Sequence, residues 1–75
     1  MKELTKQTID DYVEHKLTPG SFIQAVLCND LKMAITCADT QNARDLADIV
    51  KYCYNEIPGV CWGSQEKYDM WLGNI

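Results

Sequence analysis

Few side chains in this 75-residue chain are of a type that does chemistry, and their spacing does not favour it. The single histidine, His15, stands next to Lys16 in a charged stretch and reads as a surface residue. The cysteines Cys28, Cys37, Cys53 and Cys61 contain no C-x-x-C pair, and His15 is far from them in sequence, so the close ligand spacing of a zinc site is missing. Asp10 and Asp11 are adjacent, which on a helix turns their carboxylates about a quarter-turn apart and does not make an acid–base dyad. No G-x-x-x-x-G-K-[ST] phosphate loop occurs. A catalytic site requires a nucleophile, an acid–base group or a metal gathered in a pocket, so the expectation is a protein without enzymatic activity, bound metal or cofactor.

Two features suit binding instead. Thr18-Pro19-Gly20-Ser21 reads as a helix start, with Thr18 as N-cap and Pro19 in the first helical position, where its missing N–H is not needed. The small Gly20 and Ser21, followed by Phe22, would leave first-turn amides open to a phosphate or carboxylate. The plainer reading is an ordinary cap. The second feature is a polar set among apolar neighbours, Asn29, Asp30, Asp39 and Asn42, with Trp62 and Ser64 further along. Buried polar groups must find partners; as a pocket lining they would sit beside an aromatic ring able to stack on a base. The alternative is that they cap helices and lock one to another. Arg44 is the only guanidinium able to grip a phosphate with two hydrogen bonds. The candidate ligand-binding residues are therefore Gly20, Ser21, Phe22, Asn29, Asp39, Asn42, Arg44, Trp62 and Ser64.

The elements that must position these residues are helical. Ile9, Tyr12, Val13 and Leu17 recur at steps of three and four, with Leu4 ahead of them, which predicts a first helix ending near Lys16 and starting at Thr5 or Thr8. From Phe22 the run Phe22, Ile23, Ala25, Val26, Leu27 is apolar on most sides and predicts a helix buried in the middle of the domain. Asn29-Asp30 interrupts it, and a break or kink is expected there. Leu31, Met33, Ala34, Ile35, Cys37 and Ala38 resume a pattern apolar enough to be mostly buried. Asp39 or Thr40 then caps a helix whose stripe of Leu46, Ile49, Val50, Cys53 and Ile57 leaves Arg44, Asp48, Lys51 and Asn55 mainly outside. Pro58-Gly59 stops it. After an irregular connector over Val60–Gly63, Ser64 caps a last helix carrying Tyr68, Trp71, Leu72 and Ile75 on one face. No run alternates as a strand does. The fold expected is all-α, a compact bundle of four to five short helices in one domain over residues 1–75.

Composition narrows the partners. The net charge is −4, and the seven basic residues are never adjacent. A nucleic-acid backbone needs Lys and Arg gathered on one surface, so nucleic-acid binding is disfavoured. Asp10, Asp11 and Glu14 read as a solvated helix face, or more sharply as an acidic patch that docks on a basic partner. No stretch has the 18 apolar residues of a membrane span. The polar start K-E-L-T-K-Q-T lacks a signal-peptide pattern, which points to the cytoplasm and reduced thiols. A chain this short sits near the size at which pairing with a second copy is common, so a homo-oligomer is expected.

The wording P-G-S-F-I-Q-A-V-L-C-N-D-L, then A-D-T-Q-N, Y-N-E-I-P, C-W-G-S-Q-E-K and a closing W-L resembles a widespread group of very short phage and prophage proteins. The likeness runs from Tyr12 to Leu72 and departs at Ser21, where the group's pattern has a second glycine. It signals a group without a settled chemistry. The lifestyle it implies is that of a phage accessory in the cytoplasm of an infected bacterial cell, acting against host defence. Such a protein would sequester a nucleotide-derived immune signal, a cyclic nucleotide or a cyclic ADP-ribose-type ligand. Alternatively it would occupy a host defence protein through the acidic first helix, or self-assemble as a structural or regulatory phage protein.

Overall fold

A computed structural model of the chain describes residues 1–73, and within them the protein is all-α. Five helices follow in order: α1 (Glu3–His15), α2 (Ser21–Leu27), α3 (Leu31–Cys37), α4 (Thr40–Glu56) and α5 (Gln65–Leu72), with a 3₁₀ turn at Gly59–Cys61 before the last. Ile75, assigned above to the face of the last helix, lies outside the described residues.

The middle of the bundle is α2. Phe22, Ile23, Ala25, Val26 and Leu27 are all buried, as the run of apolar residues requires. A seven-residue helix is not stable by itself; burial on several sides holds it, each large side chain contributing about 1.5–3 kcal/mol. Around it pack Ile9 and Tyr12 of α1, Ala34 of α3, Ile49 and Cys53 of α4, then Ile57, Cys61 and Tyr68.

The break at Asn29-Asp30 is real. Asn29 takes a left-handed conformation at φ 59°, a region that asparagine tolerates better than most residues. Its N–H donates to the Val26 carbonyl at 3.1 Å, and the Asp30 N–H donates to the Ala25 carbonyl at 2.8 Å, closing the end of α2. The Asp30 carboxylate then caps α3 by accepting the Met33 N–H at 3.1 Å. Asp39 caps α4 through the Asn42 N–H at 2.7 Å, and Ser64 caps α5 through the Lys67 N–H at 3.1 Å.

Several expectations are corrected. Helix α2 begins at Ser21, with Gly20 as its N-cap and no side-chain cap. Thr18 and Pro19 precede the helix; Pro19 is buried in that approach segment, and the first helical carbonyl belongs to Gly20, which accepts the Gln24 N–H at 3.0 Å. Helix α1 starts earlier than either threonine, at Glu3, and the Thr8 hydroxyl bonds back to the Leu4 carbonyl at 2.8 Å inside the helix rather than capping it. Leu4 and Leu17, at the ends of the α1 stripe, are exposed. The largest correction is α3. Only Ala34 is buried, while Leu31, Met33, Ile35 and Cys37 are exposed. The tight turn folds α3 against α2, so one narrow side of it reaches the core. Val50 of α4 is likewise exposed at the edge of the expected stripe.

The C-terminal segment closes the molecule over Tyr12. The Tyr12 hydroxyl donates to the Cys61 carbonyl at 2.7 Å, and its ring stacks on Tyr68 at 5.4 Å. The Gly63 N–H donates to the Leu27 carbonyl at 2.7 Å, with Gly63 at φ 109°, where a side chain would be strained.

Candidate functional site

The beginnings of α1, α2 and α4 meet around an open groove of about 410 Å³. Lys2, Leu4, Thr5 and Thr8 come from the α1 side, Gly20, Ser21, Phe22 and Ile23 from the start of α2, Cys37 from the end of α3, and Asp39 and Asn42 from the start of α4. The volume falls within the range of small-molecule sites.

The groove's charge is organised by Asp39. One carboxylate oxygen accepts the Asn42 N–H, and the other accepts the Lys2 ammonium at 2.8 Å. The Lys2 hydrogen bond, with the Asn42 amide behind it, holds the Asp39 carboxyl below the usual carboxylate range. Asn42 carries the unspent capacity. Its side-chain oxygen is buried and has no hydrogen-bond partner, a condition that costs about 1–3 kcal/mol until a donor arrives. Ser21 presents its hydroxyl at an exposed position, and the space around Gly20 is open, with nothing within 4 Å of where a Cβ would sit.

Gly20, Ser21, Phe22, Asp39 and Asn42 are thus brought together, and the remaining candidates are not. Asn29 and Trp62 line a separate shallow hollow of about 60 Å³ between Leu31, Ala34 and Val50, which is too small for a nucleobase. Arg44 is exposed on α4 and does not line the groove. Ser64 is spent as the α5 cap. The polar set is also less buried than its apolar neighbours suggested: Asn29, Asp30 and Asp39 are exposed, and Asn42, Trp62 and Ser64 are half-buried. The reason is local. Asp30, Asp39 and Ser64 each satisfy a helix N-terminus, a job done at the surface where chain segments turn.

Sequence reasoning missed the polar Lys2, Thr5, Thr8 and Cys37 and the apolar Leu4 and Ile23 of the groove. Lys2 and Asp39 stand 37 positions apart, and no local pattern links them.

The acidic face of α1 is partly used internally. Asp10 accepts a hydrogen bond from the Tyr52 hydroxyl and pairs with Lys6 at 3.7 Å. Burial, then the bond to Asp10, pushes the Tyr52 hydroxyl up from its ordinary range. Asp11 accepts from Gln7 at 2.8 Å. That leaves Glu14 as the acid of the three most available to a partner. His15 is exposed, 3.8 Å from Glu14. Among the described residues no group of three or more His, Cys, Asp and Glu side chains is placed to hold a metal ion, and no helix is long and apolar enough to cross a membrane.

No protein family, curated protein or solved structure matches this chain. The groove therefore stands on its own chemistry: two acceptors, Asp39 and the Asn42 oxygen, one cation, Lys2, and the hydroxyl-bearing Thr5, Thr8 and Ser21.

Proposed function

We propose that this chain is a non-catalytic phage accessory protein that binds and sequesters a nucleotide-derived immune signal in the groove between the starts of α1, α2 and α4. The observation that carries the reading is a groove large enough for a small molecule whose lining includes Asn42, the residue with a buried, unpartnered side-chain oxygen that a turn of the amide would bring to a ligand. A ligand hydroxyl or amine donating there would relieve that cost. Asp39 adds a second acceptor, of the kind that suits ribose hydroxyls. Lys2 can exchange one carboxylate contact for a phosphate oxygen, while Asp39 keeps its cap bond to α4.

The same inventory narrows the ligand. With Arg44 outside the groove, Lys2 is the cation that lines it, so a ligand with one accessible phosphate and several hydroxyls fits better than one dense in phosphate. The phage setting comes from the sequence resemblance.

The test is calorimetric titration of the purified chain with cyclic mononucleotides, cyclic dinucleotides and cyclic ADP-ribose isomers. Saturable heat is expected for one class, with affinity falling at least tenfold in both Asn42→Ala and Lys2→Gln. Absence of heat from every compound, or binding that survives both substitutions, would remove the proposal.

A further inference from the structure

Beside its core stripe, α4 carries a second apolar stripe that the fold does not use. Ala43, Ala47, Val50 and Tyr54 follow at steps of four, three and four, the spacing of a seam between two paired helices. All are exposed, Val50 by 40% and Tyr54 by 80%. The apolar surface continues onto α3, where Leu31 is 68% and Ile35 51% exposed. Leu31 and Val50 border the same shallow hollow, which Trp62 also lines.

We infer that this face is the interface of a two-fold symmetric homodimer in which α4 packs antiparallel against α4 of a second copy. The stripe is self-complementary in volume. With the symmetry axis between positions 48 and 49, Tyr54 lies over Ala43 of the second copy and Val50 over Ala47. Each large side chain meets a small one in every layer. That alternation is what close helix packing needs, since alanine lets the axes approach to about 8 Å. A two-fold axis gives both copies the same fit.

The area agrees. A stable interface buries about 800 Å² per partner, roughly two-thirds of it apolar in homodimers. The exposed parts of Leu31, Val50 and Tyr54, which border one another or share the stripe, supply on the order of 400 Å², and Ile35, one turn beyond Leu31 on α3, adds about 100 Å² where the second copy reaches it.

Charge adds a signature. Each copy carries a net charge of −4, and antiparallel pairing places Arg44 of one copy near Lys51 of the other. Both effects oppose association at low salt, so added salt strengthens this dimer. A basic or acidic heterologous partner held by opposite charge would show the reverse. The inference does not depend on the groove ligand: Asn42 faces the inner flank of α4, about a third of a turn from the stripe.

Sedimentation equilibrium of the full chain across micromolar concentrations is expected to show a monomer–dimer equilibrium that tightens from 50 to 500 mM sodium chloride. Ala47→Glu and Val50→Glu, both at exposed positions, should each raise the dissociation constant at least tenfold with the helical circular dichroism retained. The register is read by crosslinking. On a Cys37→Ser background, an equimolar mixture of Ala47→Cys and Val50→Cys chains should form a disulfide-linked pair faster than either alone. A monomer throughout, a dimer indifferent to both glutamates, a dimer that weakens with salt, or crosslinking no faster in the mixture would overturn the assignment.

Discussion

The four thiols occupy three environments, and their chemistry should separate accordingly. Cys37 is exposed at the groove, Cys28 is half-buried, and Cys53 and Cys61 are buried. Burial pushes the Cys53 thiol up to about 12, while burial also raises Cys61 and Cys28. The thiolate is the reacting form, so at pH 8 Cys53 holds on the order of one part in ten thousand as nucleophile, before access is counted. Alkylation of the native protein followed by intact mass should show one rapid label, mapping to Cys37, then a slow second at Cys28. The last two should appear only with urea. Equal rates at Cys53 and Cys37 would mean that the core around Ile49 and Cys61 is not closed. The sequence foresaw Cys53 as a small core hydrophobe, because it falls on the α4 stripe. It could not foresee that Cys37 would be outside, since that depended on which side of α3 faced α2.

At the scale of elements, the Asn29-Asp30 connection decides how α3 lies. Asn29 at φ 59° is strained for any branched residue, at a cost of roughly 1–2 kcal/mol. Asn29→Val should therefore lower the unfolding free energy read from urea titration by that amount, whereas Asn29→Gly should stay within about 0.5 kcal/mol of the parent. Ligand heat in the groove should be the same in Asn29→Gly as in the parent, because Asn29 lines a different hollow. Equal stability of the valine and glycine variants would rule out the left-handed turn. Helix existence and order were legible in the sequence for a physical reason: caps and breakers are local. Asp30, Asp39, Ser64 and Pro58-Gly59 each act within one turn of themselves. Burial of α3 was not legible, because apolar composition reports a capacity to be covered and not a partner that covers it. The exposed Leu31 and Ile35 are the measure of that gap, and the pairing proposed above would cover them.

For the whole molecule, closure depends on contacts between residues far apart in sequence, 49 positions for Tyr12 and Cys61 and 59 for Tyr12 and Trp71, and these left no trace in local pattern. The groove is of the same kind: Gly20–Phe22, Asp39 and Asn42 were visible as caps and polar interruptions, but Lys2 joins them only once α1 lies beside the start of α4. Helix α5 is the larger case. The Trp71 indole N–H donates to the Tyr12 carbonyl at 3.1 Å. The Lys16 ammonium lies 3.7 Å from the Trp71 ring centre and donates to the Trp71 carbonyl at 2.9 Å. Lys16 can reach because it ends α1 in a left-handed conformation at φ 55°. Trp71→Ala removes an indole that is half-buried against the core, its hydrogen bond and its cation contact together, and should cost about 3 kcal/mol. That is a large share of the roughly 4–11 kcal/mol available to a domain of this size. Lys16→Met keeps the apolar stem and loses the ammonium with both its ring contact and its hydrogen bond to the Trp71 carbonyl, so about 1 kcal/mol is expected. Met70→Ala, one residue away on the exposed side, should change little. Urea unfolding of the three variants distinguishes a C-terminal helix that closes the fold from one that rests on it. A Trp71→Ala cost below 1 kcal/mol, or a Met70→Ala cost equal to it, would mean that Tyr12 and Leu27 are covered by something other than α5.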